Sequence, residues 1–237
     1  MSDSRAFPRT RADTRWGPVM REAASPPVVV AAPVPEYRPK RLLDFACASL
    51  GLMVSAPLWL LIACAIKLED GGPVFYTQPR WGRDRKPFKV YKFRSMVADS
   101  DARFGAVQAE ANDSRFTRVG RIMRATSFDE LPQLVNIWRG EMSWVGPRAL
   151  PINETQLNDS RDVPDEAIPG FDLRCAVRPG LTGVAQIFAP RDVPRRQKFR
   201  YDCLYVRRQS AWLDLKLIVI SFWISFKGGW EARGRKV

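Results

Sequence analysis

Residues 42–66 read LLDFACASLGLMVSAPLWLLIACAI, and apart from the thiols of Cys47 and Cys64 their only ionisable side chain is Asp44. Wound as a helix, 25 residues reach about 38 Å, enough to cross the hydrocarbon core of a bilayer. Two features argue against a straight crossing. Pro57 lies just after Ser55 near the middle, where its missing N–H frees the carbonyl of Met53 and its ring crowds the preceding turn. Inside lipid that carbonyl needs another partner, and Ser55 or a water is the nearby candidate. The flanks are the second feature: 8 basic face 4 acidic residues up to Arg41, and 30 face 20 after Ile66. Both ends therefore look cytoplasmic by the positive-inside rule. A helix bent at Ala56-Pro57, entering and leaving by the same leaflet, meets length and charge together. A straight span meets length alone, and a buried helix away from any membrane is the third reading.

Outward from this segment the character changes on both sides. Residues 1–37 are rich in Pro, Ala, Arg and Ser, too broken by proline for a signal-peptide core, and are expected to form a flexible tail. After Gly71-Gly72-Pro73, two aromatic runs flank a polar turn at Gly82–Lys86, the pattern of a β-hairpin. Residues 99–125 read as helix with loops. Leu131, Leu134, Val135, Ile137 and Trp138 form a helical stripe stopped by Gly140, and 151–180 is loop-rich. AWLDLKLIVISFWISF near the end has an uninterrupted apolar run only from Leu217 to Phe226, too short to span. It is expected to lie in the membrane interface or against the re-entrant helix.

The 237 residues carry 38 basic and 25 acidic side chains, and 46% apolar content argues for a packed domain. A net charge of +13 points to an anionic partner: nucleic acid, acidic phospholipid or a phosphorylated small molecule. Cys47, Cys64, Cys175 and Cys203 have neither zinc-site nor disulfide-framework spacing and read as reduced thiols. The chain has no histidine, so acid-base or nucleophilic chemistry falls to carboxylates, thiols, amines or hydroxyls.

That gives weight to TSFDELPQL, residues 126–134, where Asp129 and Glu130 stand together. Ser127 and Glu130 match a capping box, but Pro132 fits better if the helix starts with Asp129 as its cap. Capping explains Asp129 and leaves Glu130 idle. Chemically, adjacent carboxylates can share Mg²⁺, and a carboxylate can attack phosphorus. Arg115, Arg118, Arg121, Arg124, Arg139 and Arg148 crowd the region with forks suited to a diphosphate. Asp99-Ser100-Asp101 forms a D-x-D, a metal-holding pattern that also arises by chance in charged helices.

Four blocks occur in order: GGPVFYTQPRWGRDRKPFKVYKFRSM, RATSFDELPQLVNIWRGEMSWVGPR, VRPGLTGVAQI and YDCLYVRRQSAWLDLKLI. Together, over residues 38–226, they closely resemble the bacterial sugar transferase family, monotopic polyprenyl-phosphate hexose-1-phosphate transferases. The resemblance implies transfer of a sugar-1-phosphate from a UDP-sugar to polyprenyl phosphate, the initiating step of exopolysaccharide or glycan assembly, with release of UMP and use of Mg²⁺. It implies that Asp129 is the nucleophile and that Glu130 completes a metal-binding or acid-base dyad. Lys92, Arg124 and Arg148 fall on the family's essential cations, and Arg178 is a weaker candidate for nucleotide or loop positioning. Two departures stand out. The family's Ser-Pro break is here Ser55-Ala56-Pro57, and its P-R-P-L is Pro147-Arg148-Ala149-Leu150. The length resembles members consisting of the catalytic core alone.

The expected fold is α+β and predominantly helical: a monotopic membrane protein with one re-entrant helix hairpin, interfacial amphipathic helices and a small β-hairpin. The tail at 1–37 precedes the re-entrant helix at 38–69, a catalytic domain at 70–226 and a basic tail at 227–237. Expected partners are the UDP-sugar, polyprenyl phosphate and the phospholipid bilayer at the cytoplasmic face of a bacterial inner membrane. No nucleic acid is expected, and a homodimer is left open. The competing reading, a non-catalytic basic adaptor that binds polyanions at the membrane, gives no reason for paired acids within a basic surround.

Overall fold

The computed structural model describes residues 35–98, 100, 113–152, 163–189 and 193–226. Residues 1–34 of the tail expected at 1–37, the tail at 227–237, and Asp99 and Asp101 of the D-x-D lie outside the described residues, whereas Glu36 and Tyr37 of that expected tail bond to Arg178 and Asp214. Helix α1 (Lys40–Asp70) is a single helix of 31 residues that closes on Gly71 in the left-handed conformation. Hydrogen-bonded helix continues past the expected bend at Ala56-Pro57, with Pro57 inside it. Ser55 does not bridge the gap, since its buried hydroxyl has no hydrogen-bond partner among the described residues. Packing replaces that bond. Asp44, Ala48, Leu52, Leu58, Trp59, Ile62 and Ile66 form a stripe at helical spacing that packs on the globular unit along the whole length, through Pro57. The opposite face exposes Leu42, Leu50, Met53, Val54, Leu60, Leu61 and Leu68.

Both ends of α1 are bonded to that same unit. At the start, the Lys40 ammonium is buried, donating to Asp214 at 2.5 Å, Tyr205 Oη at 2.9 Å and the Val145 carbonyl at 3.0 Å. Asp44 accepts from Ser143 Oγ at 2.9 Å and from the Trp144 N–H at 3.0 Å. At the far end Asp70 pairs with Arg94, and Glu69 accepts the N–H groups of Arg118 and Val119, the first turn of the next long helix.

The expected hairpin is present. Strands β1 (Phe75–Trp81) and β2 (Pro87–Phe93) pair antiparallel around a 3₁₀ turn at Arg83–Arg85, with Tyr76 opposite Lys92 and Arg80 opposite Phe88. Helix α2 (Arg118–Thr126) follows, capped by the Thr117 hydroxyl, which accepts the Gly120 N–H at 2.9 Å. Helix α3 (Gln133–Arg139) ends on Gly140 at φ 85°, as its stripe predicts. Asn136, fully buried, joins it to β2: its amide donates to the Lys89 carbonyl at 2.8 Å and its oxygen accepts the Tyr91 N–H at 3.1 Å.

A second, parallel pair, β3 (Ser143–Val145) and β4 (Gly180–Thr182), brings VGPR against PGLTG. The backbones meet so closely that a Cβ on Gly180 would stand 2.0 Å from the Gly146 nitrogen, and one on Gly183 2.2 Å from the Gly146 oxygen. Only glycine fits there. Short helices α4 (Phe171–Cys175) and α5 (Val184–Phe188) lead to α6 (Arg195–Arg208) and α7 (Ala211–Phe226). Leu217 and Ile224 of α7 pack with Val145, Val177, Ile187, Tyr205 and Val206. Its other side exposes Trp212, Val219, Phe222 and Trp223. The four cysteines are free thiols, as expected.

Candidate active site

The dyad is not at the mouth of a long helix. Ser127, at φ 60°, ends α2 in the left-handed region, and Phe128–Glu130 forms a 3₁₀ turn of its own. Pro132 then stands as the cap of α3, so the cap expected at Asp129 is displaced by three residues. The physical reason is proline: at the cap its missing N–H has no intrahelical role. The capping box does not form either. Ser127 makes no side-chain cap bond, and the Glu130 carboxylate turns to cations instead.

Lys92, one residue from the end of β2, places its ammonium 2.8 Å from Glu130 Oε1 and 3.7 Å from Asp129 Oδ2. Arg148, just past the glycine crossing, brings Nη2 to 3.5 Å from the same Glu130 oxygen. Arg124 stacks over the Phe116 ring at 4.9 Å, close enough for its charge to act on Asp129. Four of the expected residues and the nucleophile candidate therefore converge. Arg178 does not join them: it is buried, forked onto Glu36 at 2.6 Å and set 3.2 Å from Asp44. Its role is to hold the chain before α1 against β4. Arg80 is the cation that inspection of the motifs missed. Its guanidinium donates to the Ala149 carbonyl at 2.5 Å and its charge acts on Glu130. Period-two alternation was the available signal, because Arg80 shares the hairpin face of Tyr76 and Lys92.

The two acids have opposite electrostatics. Asp129 is 3% exposed, and burial raises its carboxyl above the ordinary 3.8; Lys92 opposes that rise, the neighbouring Glu130 charge adds to it, and Arg124 and Arg148 oppose it further. Glu130 is also desolvated, but Lys92 and Arg148 overcome burial, with Arg80 assisting, and hold it well below the usual glutamate range. One carboxylate is thus clamped as an anion. The other has, as its one ion-pair partner among the described residues, Lys92 at 3.7 Å and is the more basic of the two, which makes it the better nucleophile when ionised. For a metal, the dyad supplies two hard oxygen donors, and no group of three His, Cys, Asp or Glu side chains gathers among the described residues. That set fits Mg²⁺ completed by substrate phosphates, and does not fit an ion that needs a cage made by protein alone.

A family model described as bacterial sugar transferase matches residues 36–228. The chain belongs to the bacterial sugar transferase family. It is 43% identical over 195 residues to a Klebsiella pneumoniae protein named UDP-glucose:undecaprenyl-phosphate glucose-1-phosphate transferase, aligning 80% of its own length with 40% of that protein. It is 41% identical over 184 residues to the exopolysaccharide production protein PSS of Rhizobium leguminosarum bv. phaseoli, covering 76% of this chain and 90% of the relative. An Aeromonas hydrophila protein named UDP-N-acetylgalactosamine-undecaprenyl-phosphate N-acetylgalactosaminephosphotransferase is 39% identical over 182 residues, 76% of this chain and 41% of the relative. The chain thus spans well under half of two of these relatives and nearly all of the third.

Proposed function

We propose that the protein transfers a sugar-1-phosphate from a UDP-sugar to undecaprenyl or another polyprenyl phosphate, yielding polyprenyl diphosphate-sugar and UMP. The observation that carries this reading is the buried Asp129 carboxylate, left unclamped while Glu130 is held by Lys92 and Arg148. An Asp129 oxygen attacks the β-phosphorus, the bond from that phosphorus to the bridging oxygen breaks, and UMP leaves with the bridging oxygen. A polyprenyl phosphate oxygen then attacks the phosphosugar-aspartyl phosphorus and releases the carboxylate. Both steps exchange one anionic oxygen for another at phosphorus, so a chain without histidine is not short of a proton carrier. Lys92, Arg124 and Arg148 orient the phosphates and spread charge in the transition state. Mg²⁺, held by Asp129 and Glu130, supplies neutralisation of the diphosphate when bound.

The same reading makes the protein monotopic on the cytoplasmic face of a bacterial inner membrane. If straight, 31 helical residues would reach about 46 Å, and a span would carry one end across the bilayer. Here both ends of α1 are bonded to one globular unit, while its outer apolar face is left for one leaflet. Those two attachments support entry and exit by the same leaflet.

The test is release of UMP from a panel of UDP-hexoses and UDP-N-acetylhexosamines with undecaprenyl phosphate and Mg²⁺. A radiolabelled sugar-phosphate adduct on wild-type protein, absent from Asp129→Asn, is the expected result. Folded Asp129→Asn with undiminished turnover refutes the nucleophile assignment.

A further inference from the structure

A buried ion pair remains that the chemistry above does not use. Arg174 of α4 and Asp202 of α6 are each 3% exposed, with Nε 3.1 Å from Oδ2. The guanidinium lies over the Phe199 ring at 4.6 Å. Its Nη2 donates to the Arg148 carbonyl at 2.5 Å. We propose that Arg174, oriented by Asp202, is a positioning residue that sets Arg148 against Glu130 and thereby governs how firmly the reaction centre holds the donor diphosphate. This rests on the reading of Asp129 and Glu130 as the reacting dyad.

Arg148 needs such a fixture. Its side chain is 50% exposed and reaches Glu130 only at 3.5 Å, so little around the guanidinium itself fixes its place. The backbone does so instead. Gly180 donates its N–H to the Pro147 carbonyl at 2.8 Å on one side, and Arg174 takes the Arg148 carbonyl on the other. Those two bonds hold consecutive peptide units, so the direction in which Arg148 leaves the chain is set from α4 and β4 together.

Stability alone is a poor explanation for the pair. Desolvating two charges offsets most of their attraction, and well-packed apolar residues of similar volume commonly hold a core as well or better. What an apolar pair cannot do is donate to the Arg148 carbonyl. Nor can lysine, a point charge on a flexible stem, serve Asp202 and that carbonyl with one rigid fork.

The experiment is a set of steady-state kinetics and thermal unfolding curves on full-length protein in detergent or nanodiscs. Arg174→Lys is expected to lower kcat/KM about 10- to 100-fold, the size of one charge-assisted hydrogen bond, mainly through KM for the UDP-sugar. Combined with Arg148→Lys it is expected to add nothing to the larger single effect, because both act through one guanidinium. Arg174→Met with Asp202→Leu is expected to melt near the wild type yet keep the low kcat/KM. Recovery of kcat/KM in that apolar double variant overturns the proposal, as does full additivity with Arg148→Lys. A wrong dyad shows itself separately, as turnover surviving Asp129→Asn.

Discussion

Replacing Lys40 with methionine tests whether α1 is fastened to the catalytic unit as described. The ammonium is 1% exposed and serves three acceptors, Asp214 at 2.5 Å, Tyr205 Oη at 2.9 Å and the Val145 carbonyl at 3.0 Å. Methionine keeps most of the volume and removes the charge with its donors. Val145 retains the Tyr205 hydroxyl at 3.0 Å, and Asp214 retains the hydroxyls of Tyr37 at 2.6 Å and Tyr205 at 2.8 Å. The loss is therefore the charge partner of a carboxylate that is 2% exposed. Breaking a buried pair in this way costs about 3–5 kcal/mol, and the surviving hydroxyl donors place Lys40→Met toward the lower figure. For a domain of this size that is a fall of roughly 10 °C in melting temperature. Tryptophan fluorescence in detergent micelles reads it, since Trp144 stands beside Asp44 one turn along the helix. Adding Asp214→Leu removes the orphaned charge and is expected to restore more than half of the loss. A Lys40→Met variant that melts within 2 °C of the wild type, or a double variant no better than the single, refutes the argument.

Neutralising the two neighbouring acids is expected to change stability in opposite directions. Asp129 has a raised folded-state pKa, so its ionised form costs stability once pH climbs above the ordinary 3.8; Asp129→Asn therefore gains melting temperature as pH rises through that range, and loses at least about 1000-fold in UMP release. Glu130 has a depressed folded-state pKa, so Glu130→Gln loses stability at neutral pH, and the deficit fades as pH falls below the ordinary 4.5. Melting curves from pH 2 to pH 8 on both variants check the signs. Lys92→Met removes the leading attraction that offsets burial at Asp129, and the acidic limb of kcat/KM is expected to move to higher pH; an unmoved limb refutes the pairing. Gly180→Ala, whose methyl group has no room beside Gly146, is expected to abolish folding or displace Arg148, read as loss of soluble-state monodispersity or of activity.

Features set by neighbours in the chain were legible in the sequence. The hairpin about Gly82–Lys86, the stop of α3 at Gly140 and the apolar length of α1 all follow from local pattern. The convergence of Lys92, Arg124 and Arg148 on Asp129 and Glu130 was reached through the ordered motif blocks, since no periodicity joins residues on three separate elements. What escaped were choices among many charges at long separation. Lys40 and Asp214 stand 174 residues apart, and nothing local marks Asp214 as its partner in a chain of 38 basic and 25 acidic residues. The partners of Arg178 escaped for the same reason, as they lie in α1 and in the residues before it. The start of α3 was missed because Ser127 adopts positive φ, which is rare for serine and leaves no mark in composition.

The double attachment of α1 bears on which membranes suit the protein. Helices that span must match their apolar length to the thickness of the hydrocarbon, and tilt, kink or relocate when they do not. A helix fastened at Lys40 and again at Asp70 to one body is expected, if the protein is monotopic as proposed, to feel no pull when the far leaflet thins or thickens. On the proposed monotopic reading, the height of Asp129 above the lipid headgroups is set by the molecule itself, and the acceptor's phosphate is expected to meet it at one level in short-chain and long-chain bilayers.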